Sequence, residues 1–228
     1  MSNDNKGFTL IEVLIALGIA GVVLAAAYAT FMSQNNSYKR QEQITEMQQN
    51  LRAALTFMAR DIRMAGLNPK RTDKPKIESA ESDSINFTLD LNGDGDVDDK
   101  VDGEYENITY ELYDPDNNGD KKIGRRYKYI DSSGSHSHLD PLVENIDVLN
   151  FVYLKNDGNV ATAISDIKAV QITIIARTER AFPNYTDATR YKNLQDETIW
   201  PTASTQPNEY RYRRRIASTT LNFRNIPQ

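Results

Sequence analysis

The chain contains no cysteine and only two histidines among 228 residues. The first absence excludes a disulfide framework and any thiolate nucleophile or thiolate metal site, and the second leaves little for a zinc enzyme or a Ser-His-Asp triad. Catalysis is therefore not expected. Excess positive charge is missing as well: 27 Lys+Arg stand against 32 Asp+Glu, a formal charge of −5, which argues against a nucleic-acid binder held by bulk charge. Charge of either sign is absent from Val13 to Met32, VLIALGIAGVVLAAAYATFM. About 20 helical residues at ~1.5 Å rise cross a hydrocarbon core of ~30 Å, so this run reads as a transmembrane helix. A cleaved secretory signal would have a shorter apolar core, roughly 7–15 residues, and a small-x-small site after it. Tyr28 to Ser33 offers no such site.

Just before the uncharged run stands a carboxylate, Glu12. A charge in mid-membrane costs roughly 2.5–3.5 kcal/mol or more, whereas one at the interfacial end of the helix would favour its positive N-terminus. The local sequence Lys6-Gly7-Phe8-Thr9-Leu10-Ile11-Glu12 resembles the processing site of the type IV prepilin family. The resemblance implies that a prepilin peptidase cuts between Gly7 and Phe8 and methylates the new terminus, making Glu12 the fifth residue of the mature chain. It also implies that Glu12 pairs with the terminal amine of a neighbouring subunit during assembly. An amine left alone in lipid is costly, and a carboxylate relieves it.

After Met32 the pattern turns amphipathic. Ile44, Met47, Leu51, Leu55, Met58 and Ile62 recur at spacings of three and four, which predicts a helix burying one stripe, against its own domain or against a coiled-coil partner. Gly66 and Pro69 supply the cap and the stop, so the helix is expected from Phe8 to Ala65. A long N-terminal helix of this kind again resembles type IV pilins and type II secretion pseudopilins. The segment Arg60-Asp61-Ile62-Arg63-Met64-Ala65-Gly66 is similar to the W/J-type (PilW-like) minor pilins. Ala29 stands where major pilins carry a helix-kinking proline, and no cysteines exist for their C-terminal disulfide loop. The resemblance divides the chain into a leader (1–7), a transmembrane and assembly helix (8–32), its amphipathic continuation (33–66) and a β-rich extracytoplasmic head (67–228).

In the head, strands are expected at 85–89, 108–113, 126–130, 146–154, 167–177 and 216–223. Alternation is clearest at Val170, Ile172, Ile174 and Ala176, which predicts one buried and one solvated face. Turn-rich polar segments separate these runs, so the fold class is α+β with an antiparallel sheet and not a βαβ nucleotide-binding fold. The stretch from Thr178 to Arg215, with Pro183, Pro201 and Pro207, reads as an ordered surface loop around Trp200, long enough to serve recognition.

Asp90, Asn92, Asp94, Asp96 and Asp98 place oxygen ligands at alternate positions, with Gly95 at the sixth place for a sharp turn, which is the first half of a Ca²⁺ loop. The twelfth place holds Val101 instead of a bidentate glutamate, and the same stretch also reads as a solvated acidic hairpin tip. A weaker candidate follows at Asp114, Asp116, Asn118 and Asp120, where Asn-Gly turn chemistry needs no ion, the twelfth place holds Arg125, and Lys121, Lys122 and Arg126 crowd the site. Only β-strand 108–113 joins the two, so a shared site is not expected. His136 and His138 flank Ser137 at a spacing that can chelate a transition metal, but with no other soft ligand available their Gly/Ser-rich stretch reads as a flexible loop. Arg211, Arg213, Arg214 and Arg215, interleaved with Tyr210 and Tyr212, could grip phosphates, or block aggregation as an edge-strand charge run.

The resemblance implies a minor pilin that helps to initiate or cap a type IV pilus. The alternatives are a J-type pseudopilin of type II secretion, or a pilus-tip adhesin or DNA-binding subunit. Expected partners are prepilin peptidase, other major and minor pilins and the inner-membrane assembly platform, with Ca²⁺ as the one candidate cofactor. The head would lie outside the cytoplasm, first at the inner membrane and then at the filament tip.

Overall fold

Helix formation begins as soon as Thr9 can cap it. In the computed structural model, which describes residues 7–101, 104–117 and 119–226, one 55-residue helix, α1 (Leu10–Met64), carries both the apolar run and the amphipathic stripe. The chain divides into two units, the first ending at Ile44 and the second beginning at Thr45. In the first, residues 10–34 are exposed throughout, and the helix is long and apolar enough to cross a membrane.

In the second unit the stripe is buried as its spacing requires, through Met47, Leu51, Ala54, Met58 and Ile62. Around it lie two antiparallel sheets. The larger contains β1 (Ile77–Ala80), β2 (Ser84–Thr88), β5 (Asn107–Tyr113), β6 (Lys122–Asp131) and β7 (Gly134–Val143), in that spatial order. The smaller has β9 (Ala169–Arg177) at its centre, between β8 (Ile146–Leu154) and β12 (Arg214–Asn222). Two short ribbons complete the unit, β3 (Lys100–Val101) with β4 (Glu104–Tyr105), and β10 (Tyr191–Lys192) with β11 (Thr198–Trp200). Ile85, Phe87, Ile108 and Ile123 from the larger sheet, and Leu149, Phe151, Val170, Ile172 and Ile174 from the smaller, are buried. The sheets are tied together where Phe151 N donates to Ser82 O (2.8 Å) and the Tyr153 hydroxyl donates to Ser84 O (3.0 Å).

Two expectations fail. The stretch holding His136 and His138 is strand β7, not a flexible loop: its backbone pairs with β6 from Gly134↔Asp131 to Val143↔Ile123. The histidine rings stack on β6 tyrosines, His136 on Tyr129 at 4.8 Å and His138 on Tyr127 at 6.4 Å. Nor does β9 have a solvated face, since eight of its nine residues are buried. The Thr178–Arg213 segment is tied to this sheet, Asn193 Nδ2 to Asn150 Oδ1 at 3.2 Å and Gln195 Nε2 to Gln171 Oε1 at 2.9 Å, and it buries Trp200.

Gly66 ends α1 as expected, at φ +74°, with its N–H on Thr88 O at 2.9 Å. A Cβ there would sit 2.9 Å from Ile226 Cγ1. Gly66→Ala therefore combines a left-handed backbone with overpacking, about 2 kcal/mol or more, and should lower Tm by roughly 4–8 °C in a unit of this size. Differential scanning fluorimetry of the detergent-solubilised chain checks this; an unchanged Tm would contradict it.

Candidate processing and assembly site

Gly7 is exposed, with no atom beyond its chain neighbours within 4 Å of where a Cβ would lie among the described residues, and Phe8 is 89% exposed. The backbone around the expected cut is thus open to a protease. Thr9 and Glu12 form a reciprocal capping box: Thr9 N and Oγ1 both donate to Glu12 Oε2, at 2.8 and 2.7 Å, and Glu12 N donates to Thr9 Oγ1 at 3.3 Å. The carboxylate is thereby held on the first turn, where the helix dipole favours it. Ala16 and Ala20 lie along the same face, beside Val13 and Leu17, and their small side chains leave a shallow apolar strip next to the only charge on this part of the helix. Such a surface lets another apolar helix approach closely.

The head contains two buried ionic clusters that the stripe and strand patterns did not single out. Asp61, 2% exposed, sits on the apolar face of α1. Its Oδ1 accepts from Arg60 Nε (3.1 Å) and its Oδ2 from the Tyr110 hydroxyl (2.8 Å), while Arg125 Nε lies 2.8 Å from Oδ2 as an ion pair not aligned for a hydrogen bond. The helix is thus clasped to β5 and β6. Burial pushes the Tyr110 hydroxyl pKa well up, with Asp61 adding to it, so the phenol stays a donor. Burial works against the Arg125 charge, yet Asp61, Tyr110 and Tyr127 together outweigh it and the Arg125 pKa rises.

The second cluster takes up part of the arginine run. Arg214 is 1% exposed, its Nε 2.5 Å from Asp147 Oδ2 and its guanidinium 3.8 Å from the Trp200 ring centroid. Its Nη2 donates to Glu209 O (2.6 Å) and its Nη1 to Tyr212 O (3.1 Å). Burial pushes the Asp147 carboxyl up, although Arg214 and Arg177 both pull it down. Arg213 stacks on Phe182 and Tyr185. Of the four arginines only Arg211 and Arg215 are exposed, too few for a phosphate-gripping patch.

The two acidic candidates lie at opposite ends of β5. In the first, Asp90 is fully buried and its carboxylate accepts from Gly93 N (2.6 Å) and Gly95 N (3.0 Å). Gly95 has φ +89° with Thr72 Cγ2 3.2 Å from a Cβ position, so the sixth place does require glycine. Asn92 Oδ1 accepts from Asp94 N, and Asp94 Oδ1 from Asp96 N, both at 2.7 Å. Lys74 Nζ lies 3.0 Å from Asp96 Oδ2 and, ahead of other contacts, holds that carboxyl down to about 2. Asp98 is pushed up by its hydrogen bond with Asp96. The second candidate is the β5–β6 hairpin: Asp114 Oδ2 accepts from Gly119 N (2.8 Å), Asp116 is exposed, and Asp120 Oδ1 pairs with Arg177 Nη2 (2.5 Å). Asn118 lies outside the described residues.

Residues 2–28 match the prokaryotic N-terminal methylation motif, which covers Gly7, Phe8 and Glu12. Residues 40–194, more than half of the chain, match the family described as prepilin peptidase-dependent protein B. The chain belongs to that family. Asp61, Tyr110 and Arg125 fall within the matched stretch of this prepilin peptidase-dependent family, and Arg214 falls beyond it. The pilin-like protein PilA3 of Thermus thermophilus is 36% identical over 61 residues, 27% of this chain and 26% of that protein, so the likeness spans about a quarter of this relative. A solved type IV-like pilin of Thermus thermophilus covers 79% of this chain and 98% of its own, with a TM-score of 0.49 and 13% identity. The chain is a type IV pilin-like protein with a prepilin motif and an apolar N-terminal helix fit for membrane anchoring. The motif implies processing by prepilin peptidase and assembly with other pilins.

Proposed function

We propose that this protein is a minor pilin, anchored in the inner membrane with its head outside the cytoplasm, that helps to initiate or cap a type IV pilus. The observation that carries the assembly role is Glu12, a lone carboxylate on an exposed apolar helix, held by Thr9 four residues beyond the open Gly7–Phe8 bond. Cleavage converts Phe8 N into an ammonium group, and a neighbour's ammonium is a stronger partner for Glu12 than the Thr9 hydroxyl. Stacking in the correct register then offsets the burial of both charges. Two sequence features support a minor over a bulk role: Ala29 in place of a proline and the absence of a cysteine pair. A third is the Arg60–Gly66 segment, whose Asp61 anchors the helix to β5 and β6.

Deleting the gene should sharply reduce the number of filaments while those that form keep normal length, and purified filaments should contain this chain at far below the major subunit's amount. Filament number unchanged with protein export lost would favour the J-type pseudopilin reading, which shares the Arg60–Gly66 resemblance. The DNA-binding reading gains nothing from the arginine run, because Arg213 and Arg214 are spent on packing.

A further inference from the structure

Among the described residues, the negative charge of the acidic loop is only partly balanced by cations. Between Asp90 and Glu104 the chain has seven carboxylates against Lys100, and Glu106 follows after Tyr105. Glu106 is fully buried; its Oε1 accepts from Leu91 N at 2.7 Å, and its Oε2 is buried with no hydrogen-bond partner among the described residues. Leu89 N donates to Glu106 O at 3.0 Å, so β5's entry lies directly against the start of the loop. Burial pushes the Glu106 carboxyl up, with the Asp90 and Asp94 charges adding to it, against the pull of the Leu91 and Asn92 amides. A buried carboxylate oxygen left unpaired is costly, and a second shell of like charge makes it worse.

The Leu91 N–H bond holds Glu106 against the half-loop of alternate oxygen donors. Asp90 closes the turn through Gly93 and Gly95, which leaves each of its oxygens a second lone pair. Asn92 and Asp94 follow on the rim, and Asp94 and Asp99 approach closely enough to share a hydrogen bond that pushes Asp99 up. Two lysines reach in, Lys74 to Asp96 and Lys70 Nζ to Asp94 O at 2.8 Å, but neither reaches Glu106. Among the described residues no three carboxylate or imidazole groups are already gathered at metal-ligand spacing. Binding therefore has to draw Asp94 inward from Asp99 toward Glu106.

We propose that Asp90–Glu106 forms one Ca²⁺ site, in which Asp90, Asn92 and Asp94 supply the rim and buried Glu106, not the residue at the twelfth place of the loop, supplies the closing carboxylate. Oxygen donors on a flexible loop suit Ca²⁺, whereas Mg²⁺ demands near-octahedral geometry and sheds water reluctantly. The β5–β6 hairpin is not part of this site, since its Asp120 is committed to Arg177.

The test uses the full chain in detergent, stripped with EGTA and titrated with CaCl₂ or MgCl₂ by calorimetry and melting. Expected are one Ca²⁺ per chain, a Tm rise of roughly 5–10 °C at 100-fold excess over Kd, and no comparable effect of Mg²⁺. Glu106→Gln should weaken binding at least ~10-fold while keeping the acceptor for Leu91 N, and Asp116→Asn in the hairpin should bind like the parent. Should Glu106→Gln fail to fold, Asp94→Asn on the rim must show the same loss. No heat and no shift at about 5 mM Ca²⁺, an equal response to Mg²⁺, or parental affinity in Glu106→Gln (or in Asp94→Asn where that variant stands in) would overturn the assignment.

Discussion

Replacing Asp61 by alanine is expected to lower the Tm of the detergent-solubilised chain by about 6–20 °C, the equivalent of ~3–5 kcal/mol for a buried pair deprived of one partner. The size follows from what is left behind. Arg125 has a side chain only 14% exposed, and without Asp61 its guanidinium has just a long 3.8 Å approach to Glu104 as an ionic contact among the described residues. The Tyr110 hydroxyl, also buried, loses its acceptor at the same time. Two controls separate charge from packing. Tyr110→Phe removes one hydrogen bond and should cost only about 1 kcal/mol, whereas Asp61→Asn keeps an acceptor for Tyr110 but leaves Arg125 uncompensated and should fall between the two. If Asp61→Ala and Tyr110→Phe melt together within a degree or two of the parent, the clasp contributes nothing and α1 is held by its apolar stripe alone.

The second large effect is expected at Glu12. Glu12→Leu removes the carboxylate and lengthens the uncharged run, so membrane insertion and cleavage after Gly7 should proceed, while recovery of the chain in sheared filaments should drop by at least tenfold. An unpaired terminal ammonium packed among apolar helices costs several kcal/mol, and ~1.4 kcal/mol already corresponds to a factor of ten. The capping box adds a second measurable consequence. Thr9→Val deletes the hydroxyl that donates to Glu12 Oε2 but leaves the Thr9 N–H interaction, so it should weaken the helix start by about 1 kcal/mol without abolishing incorporation. Glu12→Leu chains entering filaments at parental levels would show that Glu12 serves only as a helix cap.

How much of this could be read in advance differs from element to element. The stripe Met47, Leu51, Met58 and Ile62 was legible because a 3.6-residue period is a property of the sequence itself. Asp61 was not, since a carboxylate three places after Met58 looks like an interruption of the stripe; only Tyr110 and Arg125, about fifty and sixty-four residues away, make it part of the core. The informative signal was a charge at a stripe position, and Asp147, the one charge in the mostly apolar IDVLNFVYL of β8, was the same signal for the Arg214 cluster. Strand β7 escaped because Gly-Ser-His-Ser-His has no apolar alternation: its pairing rests on β6 backbone groups and on stacking with Tyr127 and Tyr129, which are cross-strand properties. The N-terminal methylation motif was legible for the opposite reason, being a short linear stretch that needs no partner from elsewhere in the chain.

If Gly7, Phe8 and Glu12 form one processing and assembly site, the intact mass of the chain recovered from membranes will show it. With prepilin peptidase present, the chain should lose Met1 to Gly7 and gain one methyl group on Phe8; without the peptidase, it should keep its leader. A chain that stays uncut and unmethylated in the presence of the peptidase would rule the site out and leave Glu12 as an ordinary helix cap on a membrane-tethered domain.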